Sequence, residues 1–237
     1  VSIGTKMTLG LTLPLLGAGG AAAKMAGDVE ESLSLIVGLV GVNRREVQGW
    51  EKDIREIADA TGKGPKELAD ALYFITSAGI KGSAALDTLR DSALGSAGGL
   101  GSTKDIAFAA VSVINSYGAA NISAGQAIGI LTAAVRLGNV EANTLAPVLG
   151  RLTGIAADMK IPFHEVGAAL ASLTLSGLDA AESATAVRNI FTAMLDPASE
   201  AAGALAEAGS SVDTLRRTVR EGGLLAALEF LTKTFQS

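Results

Sequence analysis

GPKELADALYFITSAGIKGSAALDTLRDSALGSA, residues 64–97, decides the fold. Leu68, Ala71, Leu72, Ile75 and Thr76 recur at helical spacing, Pro65 stands where a first helical turn tolerates it, and Gly79 is placed to end the helix. A second helix is expected to start near Ser83. From Glu165 the plan returns as EVGAALASLTLSGLDAAESATAVRNIFTAML. At a constant offset of 98 residues, Glu67 matches Glu165, Ala71 matches Ala169, Leu72 matches Leu170, Thr76 matches Thr174, Gly79 matches Gly177 and Arg90 matches Arg188. The spacing predicts a helical hairpin used at least twice, over 64–97 and 162–195, with Gly79 and Gly177 as its stops.

Upstream of the first hairpin, Asp28 to Leu39 reads as a mixed helix whose end is loosened by Gly38 and Gly41. Asn43, with Glu46 three residues on, is a capping arrangement for a helix through Trp50 to Ala60. Trp50, the only tryptophan, is expected as a core or edge anchor. Downstream, GSAGGLGS after Leu94 reads as the most glycine-dense loop of the chain. Ser102 or Thr103 starts a helix that Gly118 ends, and Ser123 with Gln126 forms a capping box for another that reaches Gly138. Ala142 to Asp158 is helical, with a kink or a later start left open by Pro147. Asp179 with Glu182 caps the second helix of the repeated hairpin, and Asp196-Pro197 is expected to start a helix that Gly209 closes. Asp213 to Arg220 and Leu224 to Phe235 complete the set. No stretch sustains a period of two, so the expected class is all-α, about eleven short helices in repeated hairpins with essentially no β-sheet. The composition divides the chain into an apolar Gly/Ala-rich segment at 1–42, a helical core at 43–195 and a helical extension at 196–237.

A chain of 237 residues can bury a substantial core. With 49% apolar residues and only 4% aromatics, that core must be built from Ala, Leu, Ile and Val. Small side chains let helices approach closely, but each helix then buries little area, so stability rests on many thin contacts. The net charge is −5 and the cations are scattered, which argues against a specific nucleic-acid partner. Absence of cysteine removes disulfides, thiolate nucleophiles and Cys-ligated zinc together. Between Lys6 and Lys24 lies the uncharged run MTLGLTLPLLGAGGAAA. Gly17, Ala18, Ala21, Ala22 and Ala26 have small-xxx-small spacing, which suits a helix packed closely on a partner helix. The run also sits at the short limit for a membrane span, weakened by Pro14, and imitates a signal peptide after Lys6.

Chemistry-bearing constellations do not assemble from these residues. Neither Thr103-Lys104 nor Gly62-Lys63 has phosphate-cradle spacing, and Ile57 stands where the first glycine of such a loop belongs. His164, the only histidine, lies just after Pro162 at an expected helix start and reads as structural or solvent-facing. Glu30 and Glu31, or Glu51 and Asp53, are too close in sequence to share a helix face as acid and base. No GxSxG nucleophile signature and no oxygen-rich metal loop is present, so the expectation is no catalytic residue, no metal, no cofactor and no enzyme activity.

The runs ELADALYFITSAGIKGSAAL and GAALASLTLSGLDAAESATAVRNIF, the tail LDPASEAAGALAEAG and the later REGGLLAALEFL resemble the helical core region of phage tail tape measure proteins. The segment KMTLGLTLPLLGAGGAAAKMAGDVEESLSLIVGLVG resembles what precedes that core. The resemblance implies a segment of a longer structural protein, found in the virion at the tail lumen or tip, that sets tail length as tube subunits polymerise and leaves at DNA ejection. It implies partners among tail tube, tip and baseplate proteins and other copies of the chain as a homo-oligomer. A ruler needs length proportional to residue number, as a continuous helix supplies. Gly or Pro interrupts this segment every fifteen or so residues, so an anchoring, assembly or delivery module fits it better than the rod. The alternative is a membrane-active module in which Met7 to Ala23 and Leu33 to Val42 enter the host bilayer during genome delivery. A helical scaffold of unrelated origin is a third reading.

Overall fold

The computed structural model describes residues 27–138, 140, 142–196 and 199–236. Ten α-helices and a π-helical turn are found among the described residues, with no strand, so the all-α expectation of about eleven short helices holds. Residues 27–35 are helical and pass into the π-helical turn Ile36–Val40, which ends on Gly41 at φ 74°. There follow α1 (Arg44–Thr61), α2 (Pro65–Ser77), α3 (Ser83–Ala97), α4 (Thr103–Tyr117), α5 (Ala124–Leu137), α6 (Ala142–Asp158), α7 (Phe163–Leu175), α8 (Ala180–Leu195), α9 (Ser199–Glu207) and α10 (Val212–Gln236). The chain divides into two compact units, Val1–Leu89 and Arg90–Ser237. The packing face expected at Gly17, Ala18, Ala21, Ala22 and Ala26 lies outside the described residues.

In the first unit α1 buries Val47, Trp50, Ile54 and Ile57, spaced three and four apart on one stripe. Trp50 is 3% exposed and anchors the core. The stripe faces α2, which buries Leu68, Ala71, Leu72 and Ile75, and both elements meet the π-helical turn through Ile36. Pro65 occupies the first turn of α2, where its missing N–H costs nothing. Asn43 caps α1 through the Arg45 N–H at 2.9 Å, while the Glu46 N–H goes to the Asn43 backbone carbonyl. The capping reading of Asn43 stands, but no reciprocal bond from Glu46 is among the contacts of this cap.

In the second unit, helices pack most extensively on the next but one along the chain. Gly150 of α6 lies against Phe108 and Ser112 of α4. Further along both helices Ser116 Oγ meets Thr153 Oγ1 at 3.2 Å, and past their ends Tyr117 Oη donates to the Ile161 carbonyl at 2.8 Å. The contact points advance together, so α4 and α6 run parallel. By the same test α5 and α7 are parallel, since Ile130 lies against Gly167 while Gly138 lies against Ala171 and Thr174. α8 in turn packs on α6. Two layers result, α4–α6–α8 and α5–α7, joined by short connections, and α10 packs back on both α7 and α8.

One boundary reading changes. α3 continues through Gly95, Ser96 and Ala97, so the glycine-rich loop is shorter than GSAGGLGS. Gly95 is a packing position: a Cβ there would stand 3.1 Å from Ile128 Cγ2 and 3.3 Å from Ile106 Cγ2. Asp196 is the C-cap of α8, its N–H bonded to the Thr192 carbonyl at 2.8 Å, and the helix expected after Asp196-Pro197 and before Gly209 is α9. The reading of Ala142 to Asp158 as one helix stands, with Pro147 inside α6 and no displacement of its start.

Candidate functional site

The turns at Gly79 and Gly177 show the same backbone bonds. Gly79 has φ 97° and Gly177 φ 103°. The Ala78 N–H bonds the Phe74 carbonyl, the Gly79 N–H that of Thr76, and the Ile80 N–H that of Ile75. Ninety-eight residues later, Ser176 bonds Ser172, Gly177 bonds Thr174 and Leu178 bonds Leu173 in the same pattern. Thr76 and Thr174, each 1% exposed, turn their hydroxyls back to the carbonyls three and four residues earlier, Tyr73 and Leu72 in one case, Ala171 and Leu170 in the other. A buried hydroxyl needs such a partner, and this one sits a turn before the stop in both hairpins. No Cβ would meet any atom within 4 Å at Gly79 or Gly177, so these glycines serve conformation alone.

Other glycines serve closeness. Gly138, at an ordinary φ of −89°, would drive a Cβ into Thr174 Oγ1. Gly167 would place one 2.8 Å from Ile130 Cγ2. These two set the spacing of α5 and α7. The reciprocal capping box of Ser123 and Gln126 fixes the start of α5, with bonds of 3.2 and 2.9 Å. Asp179 and Glu182 do the same for α8 at 2.8 and 3.1 Å.

Chemically distinctive groups gather at the start of α7. Phe163 is buried and meets Tyr117 edge to face, ring centroids 5.8 Å apart. Burial, and then the charge of Glu165, push the Tyr117 phenol well above the ordinary tyrosine range. Glu165 Oε2 accepts the Leu224 N–H at 2.5 Å, reaching across to the Gly222-Gly223 break in α10. Beside this cluster lies an open hollow of about 480 Å³ between the α4–α5 connection, α5 and the start of α7, lined by Asn121, Ile122, Gln126, Ile130 and His164. His164 is exposed at its rim, in keeping with a solvent-facing role. The sequence pattern singled out Glu165 only as a repeat position; its bond to a residue 59 positions away leaves no local signal. No group of three or more His, Cys, Asp or Glu that could hold a metal ion occurs among the described residues. No helix among them is long and apolar enough to cross a membrane.

Residues 51–237 match a protein family described as phage-related minor tail protein. The chain is 21% identical over 212 residues to the tape measure protein of Pneumococcus phage Dp-1, a match covering 88% of this chain and 18% of that relative. The chain thus spans less than a fifth of the relative's length. No solved structure matches it. Since the family match runs from within α1 through α10, most of the chain, the protein belongs to the phage-related minor tail protein family.

Proposed function

We propose that this chain is an anchoring or tail-tip module of a tape measure protein, acting in tail assembly and length determination and released at DNA ejection. The observation that carries the reading is the family match over 51–237 falling on short, stacked helices rather than on one long rod. Such a stack holds its place without itself spanning the tube. Its partners are tail tube, tip or baseplate subunits and further copies of the chain, and its site in the virion is the tail lumen or tip. No specific nucleic acid, catalysis, metal or cofactor belongs to the role. Within it, residues 43–195 serve as the helical core, 1–42 as an apolar Gly/Ala-rich segment offering Gly17, Ala18, Ala21, Ala22 and Ala26 to a partner helix, and 196–237 as a helical extension.

Passage through a narrow tube requires the stack to come apart. Helices that meet through Ala and Gly contacts bury little area apiece, so they can come apart in steps of low cost. Cryo-EM of assembled tails tests this: the expected result is density for the folded stack at one end of the tail. A folded stack seen inside the tube lumen overturns the unravelling, and absence of the chain from purified tails overturns the reading as a whole.

The uncharged run at residues 7–23 favours a second reading, a module that helps genome delivery across the host envelope. It predicts leakage of lipid vesicles by the chain, abolished by Leu16→Asp. An inert, monodisperse protein in that assay rules it out.

A further inference from the structure

α10 runs from Val212 to Gln236 but is not one continuous helix, because Gly223 stands at φ 75° and ψ −164°. Essentially only glycine adopts that combination. The break is held from outside: Glu165 accepts the Leu224 N–H, and a Cβ added at 223 would lie 2.6 Å from Glu165 Oε2. A carboxylate at this point does what an N-cap does, satisfying a backbone donor that has no partner within its own helix. Beyond the break, Leu224 and Ala227 are buried. Leu225, Leu228 and Phe235 are 61%, 45% and 55% exposed, and their spacing of three and seven residues puts them on one face.

We propose that Glu165 is a latch that keeps α10 folded at Gly223, and that residues 212–236 straighten into a single helix when the latch is withdrawn. Glycine takes right-handed helical angles as readily as the observed ones, so the alternative needs no strained residue. Straightening restores the i to i−4 backbone bonds that the break forfeits. What opposes it is one charge-assisted bond and the burial of two modest side chains, Leu224 and Ala227. The straight form, 25 residues, is about 37 Å long and carries Leu225, Leu228 and Phe235 away from α7. This latch is independent of where in a tail the chain resides.

The test uses the whole chain. It has no cysteine, so Arg217→Cys with Lys233→Cys, both exposed positions, gives one unambiguous pair of nitroxide labels for pulsed EPR. In a straight helix the two backbone sites are about 24 Å apart. The otherwise unaltered chain is expected to show a shorter dominant distance. Glu165→Gln adds a population at the straight-helix distance and speeds hydrogen exchange at the Leu224 amide about tenfold, because the bond loses its charge. Gly223→Ala shifts most molecules to the straight distance. Should Gly223→Ala fail to fold, Glu165→Gln decides alone. A straight-helix distance in the starting chain, or an unchanged distribution and unchanged Leu224 exchange in Glu165→Gln, overturns the proposal.

Discussion

Gly177 and Gly79 separate two costs that glycine substitutions usually mix. At each the added methyl has open space, but φ near 100° is unfavourable to any residue with a Cβ. Gly177→Ala and Gly79→Ala are therefore expected each to lower unfolding free energy by about 1 kcal/mol in urea titration with the m-value unchanged. Tyr117 carries a pH dependence whose sign follows from its raised pKa. Below the ordinary tyrosine pKa of about 10 its contribution is fully present. As pH climbs past that point the unfolded chain releases the phenol proton while the folded chain retains it, and stability is lost as pH rises toward the folded value. Melting temperatures from pH 8 to 11 are expected to fall more steeply in the parent chain than in Tyr117→Phe. At neutral pH the variant is the less stable by about 1 kcal/mol, for want of the bond to the Ile161 carbonyl.

Helices α5 and α7 approach through Gly138 and Gly167, so their spacing is a property of the pair. Gly138 has ordinary dihedrals, and Gly138→Ala tests sterics without backbone strain. The expected loss is about 1–3 kcal/mol by urea unfolding, as for an overpacked core, and larger for Gly138→Val. At this scale the sequence was most legible where signals are local. Ser102, Ser123, Asp179 and Gly118 mark ends through bonds to residues within four positions, Pro65 marks one through its missing donor, and those ends fall where read. Legibility failed where a glycine's role depended on a distant neighbour. Gly95 looked like a loop residue because nothing local reports Ile106 and Ile128 across from it. Asp196 also closes α8 through its own N–H, a bond that its place just before α9 does not announce. The bond from Glu165 to Leu224 is invisible for the same reason.

For the molecule as a whole, the stacking order was the least legible feature. Hairpin pattern predicts that neighbours in sequence pack together, as α7 and α8 do, but in the second unit the broader contacts join α4 to α6, α5 to α7 and α6 to α8. Ala-rich helices are apolar on several faces, so periodicity does not say which face meets which partner. Parity follows from that order. Excising an even number of consecutive helices leaves each survivor in its original layer and direction, whereas excising one turns every later helix end for end and transfers it to the opposite side. Deletion of residues 124–161, two helices with their connections, is accordingly expected to yield a cooperatively melting helical protein by circular dichroism, and deletion of 124–141 an aggregating one. A chain assembled on this plan can gain or shed pairs during evolution without redesigning what remains.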